Sequence, residues 1–504
     1  MAQRLATPGV YIEEKNAFPN SVVGLPTAVP AFIGYTEKAS KGGKSVINRP
    51  VRLTSLAQYV AVFGGVCNAK FSLSPTDSND YDLETGGKKY VLEKETNSRF
   101  MLYNAMRFFF ENGGSTCYVV SVGTYGDLAA GDTLDISKTA LQKGVETLIA
   151  EEEPTLLVVP EAVLLEEGDC FALQQAMLAH CGGKMRNRFA VLDVYNGYRE
   201  RSYDEEDVIT RFRNGVGANF LNYGAAYYPW MHSTVVQMDE LNYTNVSNLD
   251  VLTEILNAEA EALFGSGKKA DELKAEIAKM TDADADVDAV QKLLVAVSPT
   301  LKKILTQVRG QLNILPPSSA MVGVYTMVDN SRGVWKAPAN VSVSSTVAPT
   351  VNITSDDQED LNVTLSGKSI NAIRPFIGEG ILVWGARTLD GNSQDWRYVN
   401  VRRTLIFIEQ SIKYAAKAYV FEPNTAPTWS LIRSMLDSFL TNLWKSGALV
   451  GGSPAAAYEI SLGLGDTMTP EDILDGIMRI SVKVAISRPA EFIVITFQQK
   501  MQES

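Results

Sequence analysis

Leu156-Leu157-Val158-Val159-Pro160 and Phe189-Ala190-Val191-Leu192-Asp193-Val194 bracket a helix-length stretch, residues 170–181, that Gly182-Gly183 closes. Two largely apolar runs of strand length with a helix between them read as a β-α-β unit, with parallel strands buried on both faces. Ala225-Ala226-Tyr227-Tyr228-Pro229-Trp230 adds a strand downstream, and Val29-Pro30-Ala31-Phe32-Ile33-Gly34-Tyr35 supplies the first one upstream. A helix-length run containing Phe100, Met101, Asn104, Phe108 and Glu111 stops at Asn112-Gly113-Gly114, and the chain returns as the strand Thr116–Val122. The predicted class is α/β, inside a chain of 504 residues that is too long for one core and so α+β and multidomain as a whole.

Two stretches interrupt this alternation. Residues 41–95 are polar and rich in turn clusters such as Ser74-Pro75-Thr76-Asp77, which predicts an irregular or hairpin-rich excursion. From about Met238 to Ile314, runs at 251–264, 269–280 and 287–310 carry Ala, Leu, Lys and Glu at helical spacing, the pattern of a helical insertion. Residues 340–365 show little helix signal and read as a junction. Beyond it, Val401, Leu405, Ile408, Ile412, Ala415 and Tyr419 form one helical stripe, closed by Pro423. Ile432, Met435, Leu436, Phe439, Leu440 and Leu443 form a second, ended by Gly447. Thr469-Pro470-Glu471-Asp472 is a helix start, and Ile480, Val482, Val484 and Ile486 alternate with other residues as a half-buried strand.

Both ends of the chain read as strands available to a neighbour. Val10, Tyr11 and Ile12 lie in a short β-favouring run, and Glu13–Thr27, with its prolines and glycine, reads as a hinge. Phe492, Ile493, Val494, Ile495 and Phe497 form a terminal run with two apolar faces, which must be covered on both sides. Such ends suit a subunit stitched into an assembly.

Composition excludes several function classes. Net charge is -12, which argues against nucleic acid as a partner. Residues 366–504 carry 14 Lys+Arg and 13 Asp+Glu, leaving 32 and 45 for residues 1–365, so the acidic load sits in the first three quarters. No run approaches the ~20 apolar residues of a membrane span, and the start lacks a secretory signal, so synthesis in the cytoplasm and no direct membrane insertion are expected. Cys67, Cys117, Cys170 and Cys181 are too scattered for a disulfide framework or a metal site. His180 and His232 are the only histidines, and both read as structural. Gly42-Gly43-Lys44-Ser45 resembles the end of a phosphate loop but lacks its first glycine, and Asp282-Ala283-Asp284-Ala285-Asp286 lacks the glycine and glutamate of a calcium loop. No catalytic, cofactor-binding or metal residues are expected, and the chain reads as no enzyme. The enzyme alternative would use an acid such as Asp193 at the end of a strand.

Several motifs carry a family resemblance: Ser331-Arg332-Gly333-Val334-Trp335-Lys336-Ala337-Pro338-Ala339-Asn340, Ile370–Arg374, Val383–Leu389, Trp396–Arg403 and Arg488-Pro489-Ala490-Glu491-Phe492-Ile493. Upstream, Thr7-Pro8-Gly9-Val10-Tyr11, Ala31–Gly34 and Phe109–Gly114 belong to the same set. In this order they resemble the contractile tail sheath proteins of phages and of phage-tail-like contractile injection systems. The resemblance is silent at 41–95 and 238–312, where members of that family vary. It implies a structural subunit that assembles as stacked hexameric rings around an inner tube and contracts to drive the tube through a target membrane. The implied partners are further copies of the chain, the inner tube protein, baseplate and cap proteins, and sheath paralogues. The implied setting is a phage tail, or an injection particle that is cytoplasmic, membrane-associated or released. The implied domains are an N-terminal arm and linker at 1–28 and an outer α/β domain at 29–365 with the insertion at about 238–312. An inner sheath domain at 366–487 and a C-terminal arm at 488–504 complete them. Strand exchange falls to Val10, Tyr11, Ile12, Phe492, Ile493, Val494, Ile495 and Phe497. Arg387, Arg397, Arg402 and Arg403 read either as solvated or capping residues or as contacts to a neighbouring subunit or the tube. Trp384 and Trp396 read as core. The alternative within the family is a minor paralogue or end-capping tail protein that does not itself power contraction.

Overall fold

The two decisive apolar runs become adjacent parallel strands, Leu156–Val158 and Phe189–Asp193, at the centre of a nine-stranded sheet. Parallel pairing continues outward through Pro30–Thr36 to Cys117–Thr124 on one side and through Gly224–Tyr228 to Asn371–Phe376 on the other. Antiparallel strands finish both edges, Val51–Leu53 at one and Gly380–Val383 with Val341–Ser342 at the other. The computed structural model describes residues 22–95, 99–128, 134–282 and 284–495.

Alternation along each central strand loads both faces. Ala31, Ile33 and Tyr35 join the core that contains Leu141 and Val145 of helix Lys138–Thr147 and Cys170, Leu173 and Met177 of helix Glu167–Ala179. Phe32 points the other way, into a core with Met106, Phe108 and Phe109 of helix Leu102–Glu111 and Met321, Val324 and Tyr325 of helix Ser318–Arg332. Two-sided burial is why these strands lack the polar alternation of a half-exposed sheet.

The chain divides into two compact units, residues 26–403 with 488–504, and residues 1–25 with 404–487. The boundary expected at 365/366 therefore falls at Arg403/Thr404, inside helix Val399–Ala416. The physical reason is that residues 371–376 and 380–383 are strands of the large sheet. The polar excursion is more ordered than its composition suggests. Helix Leu56–Phe63, capped by Ser55, and the antiparallel strands Phe71–Thr76 and Lys88–Lys94 lie within it. Those strands share one core with the insertion: Phe71, Leu73, Tyr90 and Leu92 pack with Leu252, Ile255, Leu256, Leu301, Ile304 and Leu305. The insertion itself is four helices, Leu249–Phe264, Lys268–Ala278, Val287–Val297 and Pro299–Leu312. The junction at 340–365 contains one helix, Ser355–Asn362, with a reciprocal cap between Thr354 and Asp357.

In the smaller unit the two predicted stripes are helices, the second being Ala426–Lys445, with Phe407 and Phe439 rings 6.1 Å apart. Strands Tyr458–Ser461 and Ser481–Val484 form a separate two-stranded antiparallel sheet. Leu25 N–H donates to Ser411 Oγ at 3.2 Å, so the described end of the predicted hinge is held against a helix rather than free.

Candidate functional site

The C-terminal segment starts from a buried polar clamp. Arg387, 3% exposed, follows strand Gly380–Val383. Its backbone N–H donates to Asn371 Oδ1 at 2.7 Å, and Asn371 Nδ2 returns bonds to the carbonyls of Arg387 and Ala226 at 2.8 and 3.2 Å. Asn371 opens a strand of the large sheet, so the guanidinium is mounted on that sheet. It forks onto Glu491, with Nε–H to Oε1 at 2.9 Å and Nη2–H to Oε2 at 2.7 Å. Asn362 Nδ2 donates to Oε1 at 2.7 Å and the Tyr398 hydroxyl to Oε2 at 3.0 Å. Burial by itself would raise the Glu491 carboxyl, but the Arg387, Asn362 and Tyr398 donors hold it below its ordinary value. A bidentate guanidinium–carboxylate pair of this kind fixes orientation as well as position.

Immediately beyond the clamp, Phe492, Ile493, Val494 and Ile495 are 69%, 78%, 89% and 70% exposed and belong to no strand. Val10, Tyr11, Ile12 and Phe497 lie outside the described residues. The two-stranded sheet of the smaller unit pairs Tyr458 with Val484 and Ile460 with Val482, while Glu459 and Lys483 form an exposed ion pair at 3.1 Å. A two-stranded ribbon of this length is marginal by itself and gains from a further strand.

The other flagged arginines are engaged within the large unit. Arg403 forks onto Asp329 at 3.1 and 2.6 Å, donates to the Thr27 carbonyl at 3.0 Å and lies over the Tyr325 ring. The Thr27 hydroxyl also donates to Asp329 at 2.6 Å. Arg402 lies between the Tyr223 and Trp396 rings, 4.5 and 4.6 Å from their centroids. Arg397 is half-buried and bonds the Ser393 carbonyl. Both readings of Arg387, Arg402 and Arg403 miss these internal roles, because their acids and rings lie far away in sequence. Trp384, expected in the core, is 38% exposed with its ring against Phe376.

The residues weighed for catalysis have structural partners. Asp193 accepts from the Ser318 N–H at 2.8 Å and its hydroxyl at 2.5 Å, capping helix Ser318–Arg332. Glu161, which sequence reading missed, accepts from the N–H groups of Tyr35, Met101 and Leu102 at 2.8, 3.0 and 3.2 Å. Burial pushes each carboxyl up to about 7. His180 lies against Arg188 at 3.1 Å, and burial followed by that charge lowers it to about 4. Gly42-Gly43 is the exposed turn between strands Ser40–Lys41 and Lys44–Ser45, and Asp286 caps helix Val287–Val297. Among the described residues no group of His, Cys, Asp and Glu is placed to hold a metal ion.

Residues 392–500 match the family described as phage tail sheath C-terminal domain. The tail sheath protein of Vibrio phage KVP40 is 23% identical over 184 residues, which cover 36% of this chain and about a quarter (26%) of that relative. A chain of the PVC sheath complex, an extracellular contractile injection system in its contracted state, is 28% identical. That match covers 99% of both chains with a TM-score of 0.60. A chain of the anti-feeding prophage baseplate is 28% identical over 98% of this chain and 99% of that one, with a TM-score of 0.58. The C-terminal part of the chain thus resembles the phage tail sheath C-terminal domain, and the chain as a whole is similar to sheath and baseplate chains of contractile injection systems.

Proposed function

We propose that this chain is the structural subunit of a contractile sheath, built as stacked hexameric rings around an inner tube, whose contraction drives the tube through a target membrane. The observation that carries the reading is the apolar run Phe492–Ile495, exposed directly behind the clamped Glu491. An exposed apolar end of this kind is covered when it adds as a strand to a sheet edge of another copy. The two-stranded sheet Tyr458–Ser461 with Ser481–Val484 is the acceptor in this reading. Burying four large side chains at ~25 cal/mol per Å² contributes several kcal/mol per junction, enough to hold neighbours together while the bodies move. Inner tube, baseplate and cap proteins are the further partners.

Negative-stain electron microscopy of the chain expressed alone tests the reading. Hollow ridged tubes are expected, and deletion of Phe492–Ser504 leaves a folded monomer without tubes. Tubes of ordinary appearance from the truncated chain overturn the exchange of this arm. The likeness to a baseplate chain favours one second reading, a subunit at the end of a sheath. Copy number in native particles separates the two, many rings against one.

A further inference from the structure

The arm reading leaves open how a pull on Phe492–Ile495 is prevented from stripping strand Ser481–Val484, only a few residues upstream, out of its own ribbon. Residues 404–487 belong to the smaller unit, and at Arg488 the chain enters the larger one. Three residues later Glu491 meets three side-chain donors, one of them a guanidinium that is almost wholly buried. Resting on the proposed arm exchange, we propose that Arg387, Asn362 and Tyr398 act as an anchor for the C-terminal arm. They set the direction in which it leaves the large unit and pass load from a second copy of the chain into the nine-stranded sheet.

The path for that load is continuous in bonds. Glu491 is held by Arg387, whose backbone is locked to Asn371, and Asn371 bonds the Ala226 carbonyl on the neighbouring parallel strand. The backbone of Arg387 also forms an antiparallel bridge with Tyr398, so two of the donors to Glu491 are fixed to each other. Parallel strands loaded at one end share the force across their ladders, whereas a two-stranded ribbon opens one bond at a time. Arg387 and Tyr398 are therefore positioning residues. They touch the root of the arm, and the apolar strand beyond it makes the contact with the neighbour.

The test is Glu491→Gln in the full chain, compared with wild type and with the deletion of Phe492–Ser504. An amide keeps the size of the side chain but loses the charge that the fork recognises. The expected result is a folded monomer with a thermal midpoint lowered by the counter-charge that Arg387 loses. The concentration at which its tubes form rises about tenfold or more, and the tubes that do form dissociate at lower denaturant. Asp329→Asn, which unpairs the equally buried Arg403 away from the arm, is the control matched for lost stability: a purely structural role weakens assembly equally in both variants, whereas the anchor weakens it only in Glu491→Gln. Wild-type assembly by Glu491→Gln overturns the anchor and leaves the arm exchange standing, while wild-type tubes from the truncation overturn the arm exchange itself. Should the single variant fold poorly, Arg387→Gln with Glu491→Gln removes both charges. Restored folding without restored assembly supports the anchor, and restoration of both overturns it.

Discussion

At the residue scale, the molecule commits its buried charges to holding segments in place. Arg403 and Asp329 are both almost wholly buried, with side chains 3% and 2% exposed, and Thr27 completes their bonding. Asp329→Asn leaves the guanidinium buried without its counter-charge, a change that costs about 3–5 kcal/mol. A fall of that size in unfolding free energy, read by chemical denaturation, is expected. Glu161 and Asp193 behave in the opposite sense to Glu491. Their folded carboxyls titrate near 7, so the native state keeps protons that the unfolded chain has released. Their contribution is full below the ordinary carboxylate range of about 4 and is lost as pH rises toward 7, up to about 3 kcal/mol for Glu161 and about 4 kcal/mol for Asp193. Thermal midpoints between pH 5 and 7 are expected to fall less steeply in Glu161→Gln than in wild type. Glu491, held below its ordinary value, stabilises above that value and loses its contribution as pH falls through the lowered one. Arg387 and Arg403 were legible in sequence as residues of note, but their acids were not. Arg387 and Glu491 stand 104 positions apart, and only folding brings them together.

At the scale of elements, the motif Phe109–Gly114 has a packing explanation. Gly113 adopts φ +91 where helix Leu102–Glu111 ends, and a Cβ there would lie 2.9 Å from Met327 Cβ. Opposite it, a Cβ on Gly323 would stand 2.6 Å from the Phe109 carbonyl oxygen and 2.9 Å from Asn112 Cβ. Gly323→Ala therefore forces helices Leu102–Glu111 and Ser318–Arg332 apart, and a loss of about 1–3 kcal/mol in denaturant unfolding is expected. The central strands and the long helices were readable because apolar runs and 3.6-residue stripes record burial directly. Helix Leu56–Phe63 was not: it is only 8 residues long, and its surroundings are dominated by turn residues. The exposure of Trp384 was equally hidden, since an aromatic beside an apolar strand carries no mark of which side is covered.

At the scale of the whole molecule, two segments separated by much of the large sheet fold as one satellite body. The paired strands Phe71–Thr76 and Lys88–Lys94 share a core with helices of the insertion. Replacing 249–312 by a short linker exposes Phe71, Leu73 and Leu92, and an insoluble product is expected. Removal of both segments together is expected to restore soluble expression with the far-ultraviolet signature of the remaining α/β body. The sequence alone determined the α/β order, the parallel sheet, the helical insertion, the two late helices and an apolar terminal run. Each of these is written in local periodicity or in contiguous hydrophobicity. Tertiary structure alone decided that residues 366–403 belong with the large sheet, that strands Phe71–Thr76 and Lys88–Lys94 share a core with the insertion, and that Glu491 is seized by Arg387. Those outcomes depend on contacts between residues distant along the chain, where geometry selects the partner and local pattern holds no record of it.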